Sequence, residues 1–309
     1  MADYQAVMMG SPIRLSLSQE NPQRAREVFQ LIKQQEALLT VNRADSLLMT
    51  VNRAAGLHPV VVPNAIFQLV SLARQVSLLP GSLFNLAIGP LVKAWRIGFS
   101  GQCPPPSRQI DKALALVDPH DIQLDPDTHS IFLRKPGMEI DLGAIAKGYI
   151  ADKVCQYLQS QQEPYALINL GGNIHTLSRP VDHPWQIGLR KPFSSPHTLS
   201  ARLAVSGRSV VTSGIYERYF LHQQRCYHHI LDSRTGYPLD NDLLSVTVVS
   251  ESSLIGDIYS TLLYGMGVEQ SLAWLAHHPE IEAVMITRRN QIICSSQHHF
   301  QCHVLDLNQ

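Results

Sequence analysis

The sequence has no excess of charge of either sign. Its 309 residues include 25 Lys plus Arg and 25 Asp plus Glu, so the formal net charge at pH 7 is zero. Proteins that bind nucleic acid without sequence preference depend on Lys and Arg contacts to phosphates. The composition therefore argues against general nucleic-acid binding.

Long apolar runs and export signals are also missing. No stretch approaches the roughly 18 apolar residues of a membrane-spanning helix. The start, MADYQAVMMGSPIRL, has no basic segment followed by an apolar one and no lipobox-like cysteine. The five cysteines are odd in number and scattered, unlike a disulfide framework. We therefore expect reduced thiols, no membrane span and a cytoplasmic location.

Several common catalytic motifs are absent. No G-x-G-x-x-G follows a strand, and there is no Walker A, H-E-x-x-H or G-x-S-x-G sequence. The segment LGGN (170–173) contains only a glycine pair. The usual dinucleotide-binding, NTPase, zinc protease and hydrolase interpretations therefore have no supporting motif.

The hydrophobic periodicity predicts a mixture of helices and antiparallel strands. Apolar residues recur at helical spacing in 22–39, and helices are also predicted over 144–159, 252–264 and 268–277. Between residues 165 and 250, most segments either alternate apolar and polar residues or are rich in β-branched residues. Strands and helices do not alternate regularly, which favours an α+β fold with mostly antiparallel sheets.

One predicted helix carries a set of oxygen-bearing side chains. Asp257, Ser260 and Thr261 lie at i, i+3 and i+4, so they share one helix face. A carboxylate and two hydroxyls are hard ligands suited to Mg²⁺ or Ca²⁺. The alternative is a solvated Asp257, favoured near a helix start by the helix dipole.

Two further segments contain candidate groups. Asp141 precedes a predicted helix and Lys147 lies in its first turns, but an N-capping Asp and a surface Lys would give the same pattern. On a strand, His228 and His229 point to opposite faces. A His beside Asp232 is suited to general-base catalysis, although a strand-end His and a turn-forming Asp also explain this segment.

Taken in order, eight segments resemble the FAD:protein FMN transferases, the ApbE family. The resemblance runs from about residue 8 to near the C-terminus. The segments are MGSP (9–12), GPLVKAW (89–95), DLGAIAKGY (141–149), NLGGN (169–173), SGIYERYF (213–220), HHILDSRTGYP (228–238), SVTVVS (245–250) and GDIYSTLLYGMG (256–267).

The resemblance implies a fold and a reaction. It implies one domain over 1–309 with two lobes of T-fold-like architecture and FAD between them. It also implies that FAD is cleaved at its diphosphate with Mg²⁺. FMN is then joined through its phosphate to a Thr or Ser hydroxyl of a target flavoprotein, and AMP leaves.

The resemblance also assigns roles by matching position. His229 matches a catalytic base, and Asp257 combines catalytic and metal-binding roles. The implied metal ligands are Asp257, Thr261, Ser260 and the main-chain carbonyl of Ala144. The implied FAD-site residues are Met9, Asn42, Leu83, Phe84, Asn85, Asp141, Lys147 and Leu231.

Asn42 departs from the family pattern. Members of the family often have Tyr at this place, and some members with Asn hydrolyse FAD to FMN and AMP. The alternative function is therefore a Mg²⁺-dependent FAD pyrophosphatase, and a third is a non-catalytic flavin or metal carrier. Incubation with FAD and Mg²⁺, with and without an acceptor protein, would separate the three.

Overall fold

The computed structural model of the protein describes residues 1–180, 182–195 and 197–305. The strands are β1 (Ala2–Met8), β2 (Ser11–Leu17), β3 (Val60–Val61), β4 (Ile122–Asp125), β5 (Ser130–Leu133), β6 (Ala166–Leu170), β7 (Asn173–Thr176), β8 (Trp185–Arg190), β9 (Leu199–Val205), β10 (Ser209–Gly214), β11 (Tyr219–His222), β12 (Arg225–His228), β13 (Leu243–Ser250), β14 (Glu282–Thr287), β15 (Ile292–Cys294) and β16 (Phe300–Val304). The helices are α1 (Pro22–Leu39), α2 (Leu47–Arg53), α3 (Asn64–Ser77), α4 (Gly89–Trp95), α5 (Ser107–Leu114), α6 (Ala146–Ser160) and α7 (Ser253–Leu275), with a 3₁₀ helix over Pro119–Asp121.

The chain forms two compact units, and each unit is assembled from separated segments. Unit 1 comprises residues 1–36, 144–214 and the chain from 242 onward. Unit 2 comprises residues 37–143 and 215–241. The expectation of one two-lobed domain with FAD between the lobes stays a prediction.

A large antiparallel sheet forms the centre of unit 1. In the described ranges, eight strands follow the order β1-β2-β6-β7-β10-β13-β14-β15, and each neighbouring pair is antiparallel. Every residue of β13 is buried. A strand with both faces covered needs mostly apolar side chains, and LLSVTVVS supplies Leu and Val at most positions, with the small polar residues Ser245, Thr247 and Ser250 at the others.

The two faces of this sheet are covered by different layers. On β10, the side chain of Val211 contacts Gly256 of α7, so this face carries the helices. The preceding residue, Val210, packs on the opposite face with Leu203 of the three-stranded sheet β16-β9-β8. Adjacent strand residues point to opposite faces, so unit 1 has a helix, sheet, sheet arrangement.

Helix α7 contains a break that the sequence predicted. Gly267 has φ 75° and ψ −177°, which is outside helical geometry. A positive φ is readily accessible to glycine but not to most other residues. The two predicted helices, 252–264 and 268–277, are therefore confirmed as two segments of one interrupted helix.

Unit 2 contains smaller elements around its own core. Its sheet has the order β3-β5-β4, and β11 pairs with β12 in a separate hairpin. Its helices include α2, α3, α4 and α5. The indole N–H of Trp95, at the end of α4, donates to the carbonyl of Gly236 at 2.7 Å. Together the units confirm the predicted α+β class, and within the described ranges no helix is long and apolar enough to cross a membrane.

Candidate functional site

Asp257 is a buried carboxylate held by two donors. It lies in α7 and is 8% exposed. Its Oδ2 accepts a hydrogen bond from the backbone N–H of Gly148 at 2.6 Å, and its Oδ1 accepts one from Nδ2 of Asn173 at 3.0 Å. Burial raises the pKa of Asp257 to about 7, although both donors and the charge of Lys147 act to lower it. The donors therefore offset only part of the cost of burying this charge.

Gly148 brings the N-terminus of α6 against the start of α7. The first N–H groups of a helix have no partner within the helix, and the residue before α6, Ile145, provides no side-chain cap. Asp257 supplies that cap from α7. A Cβ on Gly148 would lie 2.7 Å from the Cα of Leu254 and would collide with the carbonyl of Ser253. This close approach therefore requires glycine.

Asp152 of α6 caps α7 in return. Its Oδ1 accepts the backbone N–H of Ser253 at 2.7 Å, and its Oδ2 accepts that of Leu254 at 3.0 Å. The hydroxyl of Ser252 also donates to Oδ2 at 2.6 Å. Burial acts to raise the pKa of Asp152, but hydrogen bonds, led by that of His175, hold it below its usual value. Asp152 is thus a fully partnered structural carboxylate.

The hydroxyls predicted beside Asp257 are found next to its backbone. The Oγ of Ser260 donates to the carbonyl of Asp257 at 3.1 Å, and Oγ1 of Thr261 lies 3.3 Å from the same oxygen. Ser260 Oγ is also 2.8 Å from Oγ of Ser213 on β10. Ala144, which the resemblance selects for its carbonyl, is exposed in the turn before α6.

This donor set fits Mg²⁺. The described residues contain no group of three or more His, Cys, Asp and Glu side chains arranged to hold a metal, and Asp257 is the one carboxylate in the ligand set that the resemblance implies. Mg²⁺ commonly binds through one or two carboxylates and completes its shell with water and substrate phosphates. Each oxygen of Asp257 accepts one hydrogen bond, from Gly148 or from Asn173, and has a second lone pair.

Two FAD-site candidates of unit 1 are associated with tight turns, Lys147 through its side chain and Met9 through its backbone. Nζ of Lys147 donates to the carbonyl of Gly171 at 3.2 Å, in the turn between β6 and β7. Met9 lies in the turn between β1 and β2 with φ 53°, and its N–H donates to Oε1 of Glu36 at 3.1 Å. A non-glycine residue at positive φ is uncommon and is enriched at functional sites.

In unit 2, the segment that ends at Asp141 is held by backbone contacts. Both amide atoms of Asn52 bond Ile140, the Nδ2 to its carbonyl at 3.0 Å and the Oδ1 to its N–H at 2.9 Å. Asp141 donates its N–H to the carbonyl of Leu86 at 3.0 Å, and its Oδ1 accepts the N–H of Gly143 at 2.6 Å. Burial raises the pKa of Asp141 despite that bond and the charge of Arg218. The N-capping alternative is wrong, because α6 begins at Ala146 without a side-chain cap.

The candidates at 83–85 differ in exposure. Phe84 is 2% exposed, whereas Leu83 and Asn85 are partly buried. The Oδ1 of Asn85 accepts the N–H of Ala87 at 2.8 Å. Phe84 therefore has little side-chain surface for contact with a ligand. Leu83 and Asn85 have more exposed surface for such a contact. Asn42 is exposed in the loop between α1 and α2.

The histidines differ in burial as predicted, although β12 ends at His228 and His229 lies in the bend that follows it. His228 is 3% exposed and its Nε2 lies 2.9 Å from the carbonyl of Leu239. His229 is partly exposed, and both its N–H and its Nδ1 lie 3.2 Å from the carbonyl of Arg218. Because a carbonyl only accepts, Nδ1 carries the proton, and the neutral ring has its basic lone pair on Nε2.

The surroundings of His229 differ from the sequence hypothesis in one respect. The sequence paired the His with Asp232, but the Asp232 carboxylate binds Arg234, with Oδ1 to Nε and Oδ2 to Nη2 at 3.0 Å each. The hydrogen-bond partner of His229 Nδ1 is instead the carbonyl of Arg218. Leu231 is 7% exposed and packs in the core around Trp95.

Sequence reasoning missed the partners of the candidate ligands. Gly148, Asn173, Ser253 and Asp152 all belong to the network around Asp257. The NLGGN segment contributed a glycine pair and part of the resemblance, but nothing in it specified a contact from Asn173 to a residue 84 positions away. The Gly at 148, placed inside a helix where it costs stability, was the one available signal.

Comparisons with known proteins show which family this chain resembles. A model of the ApbE family matches residues 9–285. An FAD:protein FMN transferase of Klebsiella pneumoniae is 54% identical, covering 98% of this chain and 94% of that protein. One from Treponema pallidum is 35% identical, covering 91% and 81%. The crystal structure of the ApbE protein from Thermotoga maritima has a TM-score of 0.83 at 25% identity, covering 96% of this chain and 97% of that one.

Proposed function

The chain belongs to the ApbE family, and we propose that it transfers FMN from FAD to a Thr or Ser hydroxyl of a target flavoprotein in a Mg²⁺-dependent reaction. The products are a phosphoester-linked FMN and AMP. The observation that carries the proposal is Asp257, a carboxylate 8% exposed and fixed by Gly148 and Asn173. FAD as the substrate is supported by the names of the relatives at 54% and 35% identity.

The proposed metal ligands lie in unit 1. They are the carboxylate of Asp257, the hydroxyls of Ser260 and Thr261, and the carbonyl of Ala144. Burial without sufficient donors raises the pKa of Asp257 to about 7, so a cation would relieve an electrostatic cost that the protein leaves in place. When bound, Mg²⁺ neutralises charge on diphosphate oxygens and on the leaving AMP.

The proposed base is His229 of unit 2. Its Nδ1 proton is held by the carbonyl of Arg218, so Nε2 accepts the proton of the acceptor hydroxyl. The hydroxyl oxygen then forms a bond to the phosphorus of the FMN half, and the bond from that phosphorus to the AMP oxygen breaks. The ring must be neutral to begin this step, which suits a His near pH 7.

The remaining candidates are proposed to bind FAD. In unit 1, Met9 presents a backbone turn at positive φ, and Lys147 supplies a cation near the Gly171 carbonyl. In unit 2, Asp141 is held at fixed position by Leu86. The other proposed contacts in unit 2 are Asn42, Leu83, Phe84, Asn85 and Leu231. The proposed location is the cytoplasm, supported by the five free cysteines.

The test is an assay of purified protein with FAD and Mg²⁺, with and without an acceptor flavoprotein domain. Transfer produces a fluorescent acceptor band that survives denaturing electrophoresis. Asp257→Ala should lower the transfer rate by about a hundredfold or more, because it removes the charged group from the proposed metal site. Unchanged turnover of folded Asp257→Ala at saturating FAD would contradict the metal role.

A second candidate function, hydrolysis of FAD to FMN and AMP, is favoured by Asn42. This residue stands where the family often has Tyr, and the structure places it in an exposed loop. We expect AMP release from FAD without acceptor, and we expect Asn42→Tyr to reduce it. Chromatographic measurement of AMP decides the matter, since a wild-type protein that releases none without acceptor is a strict transferase.

A further inference from the structure

Asn173 connects two buried groups in unit 1. Its Nδ2 donates to Oδ1 of Asp257 at 3.0 Å, and its Oδ1 accepts the hydroxyl of Ser253 at 2.6 Å. Asn173 is 3% exposed and Ser253 is 0% exposed, so bulk water does not compete for these bonds. An ionised carboxylate only accepts hydrogen bonds. The amide therefore directs its NH₂ group to Asp257 and its oxygen to Ser253.

The backbone around Asn173 is rigid. Gly171 and Gly172 have φ of 65° and 96° and form the two-residue turn between β6 and β7. Such turns fix the register of the flanking strands. Asn173 is the first residue of β7 and pairs with Val211 of β10. Its side chain therefore starts from a position set by two strand pairings.

Two donors determine the orientation of the Asp257 carboxylate. The N–H of Gly148 binds Oδ2 and the amide of Asn173 binds Oδ1. One hydrogen bond to each oxygen fixes the rotation of the carboxylate plane, and each oxygen has a second lone pair for another partner. Gly148 donates through its backbone N–H, which a side-chain substitution cannot remove. The hydrogen bond from the Asn173 amide can be removed by substitution.

We infer that Asn173 is a positioning residue, which with Ser253 behind it fixes the orientation in which Asp257 presents its oxygens to a divalent cation. This inference rests on the proposed function, because it takes Asp257 as a metal ligand. Residues that hydrogen-bond to metal ligands commonly change metal affinity by about 10–100-fold when removed.

The test measures Mn²⁺ binding to the FAD-free protein, following free Mn²⁺ by electron paramagnetic resonance. Asn173→Ala should weaken Mn²⁺ binding by about 10–100-fold. Ser253→Ala leaves the Asn173 amide in place but removes its orienting donor. It should weaken binding in the same direction by a smaller factor, and it keeps the test valid if Asn173→Ala does not fold.

A matched control separates positioning from general loss of stability. Thr176 lies on the same strand, is 1% exposed, and makes two hydrogen bonds with the backbone of Arg208, at 2.8 and 3.1 Å. Thr176→Val removes two buried hydrogen bonds, as Asn173→Ala does. We expect it to change Mn²⁺ affinity by less than about twofold, although both variants lower the unfolding temperature.

Activity assays supply a second measure. If Asn173 only positions Asp257, its removal should raise the Mg²⁺ concentration for half-maximal transfer while kcat at saturating Mg²⁺ stays within a few-fold of wild type. The inference is overturned if Asn173→Ala and Ser253→Ala bind Mn²⁺ as wild type does while Asp257→Ala does not. It is also overturned if Thr176→Val weakens binding equally. If Asp257→Ala binds Mn²⁺ like wild type, the proposed metal site itself is wrong.

Discussion

At the scale of single residues, Asp257 and Asp152 show how burial and the number of donors together set the pKa of a carboxylate. Burial acts to raise the pKa of both. Asp152 receives the N–H groups of Ser253 and Leu254 and the hydroxyl of Ser252, with His175 Nδ1 3.1 Å away, and its pKa is lowered. Asp257 receives two donors, and its pKa is raised to about 7. The ionised form of Asp152 is thus stabilised by the protein alone. The ionised form of Asp257 is not, and a nearby positive charge would stabilise it.

The raised pKa of Asp257 predicts a pH dependence of stability without divalent cations. Between pH 4 and 7 the unfolded state releases this proton while the folded state retains it. The free energy of unfolding should therefore fall as pH rises, by at most about 1.4 kcal/mol per pH unit from this group. Urea unfolding of wild type and Asp257→Asn across this range gives the contribution as a difference.

The sign of that difference is the critical observation. Asp257→Asn has no titrating group at this position, so the stability of wild type relative to this variant should decline from pH 4 to 7. Saturating Mg²⁺ should remove the decline, because it favours the ionised form. A relative stability that is constant or rises with pH would show that Asp257 is not buried as described.

His229 provides a second residue-scale prediction, with its neighbour as the control. His229→Ala should lower the rate of FMN transfer by about a hundredfold or more, the usual contribution of a positioned base, while FAD affinity is retained. His228 is buried against the Leu239 carbonyl, so His228→Gln should change stability much more than kcat. Equal effects of the two substitutions on kcat, or a loss of FAD affinity in His229→Ala, would make His229 a substrate-positioning residue.

At the scale of elements, α6 and α7 cap each other. Asp257 of α7 binds the N–H of Gly148, and Asp152 of α6 binds the N–H groups of Ser253 and Leu254. An acidic group at a helix N-terminus is favoured by the helix dipole and by its unpaired N–H groups. The pair brings the proposed metal ligands of α7 to the start of the segment that contains Lys147.

Gly148 makes this reciprocal contact possible, which predicts the effect of replacing it. Alanine would improve helix propensity by about 1 kcal/mol, but its Cβ would collide with the backbone of Ser253 and Leu254. We expect Gly148→Ala to be destabilised by about 1–3 kcal/mol in urea unfolding and to bind Mn²⁺ more weakly. Gln156→Ala, at an exposed position of the same helix, should lie within about 0.5 kcal/mol of wild type.

The sequence predicted the local elements better than the contacts between them. The break in α7 at Gly267 follows from backbone preference, and the burial of His228 but not of His229 follows from alternation at the end of β12, so both could be predicted. The cap of α6 could not, because the nearby Asp141 forms a turn with Gly143 while the actual cap, Asp257, is 109 residues away. Local patterns carry no information about such tertiary pairings.

At the scale of the whole molecule, both units are built from segments distant in sequence. Unit 1 takes three stretches of the chain and unit 2 takes two. Cys294 on β15 and Cys302 on β16 illustrate the consequence, because both pack against the core around Leu203. Burial raises the pKa of Cys294 to about 12 and also raises that of Cys302. Thiols with raised pKa values contain little thiolate near neutral pH and oxidise slowly.

This chemistry leads to a prediction for the whole chain. Titration of the denatured, unreduced protein with a thiol reagent should find five thiols, because all five cysteines are free in the structure. Burial raises the pKa of Cys155 as well, which leaves Cys103 as the exposed thiol. A count of three would contradict the prediction, and peptide mapping should then be directed first at Cys294 and Cys302, which pack against the same core. Alkylation before denaturation provides the control, since it should label Cys103 faster than the buried Cys155.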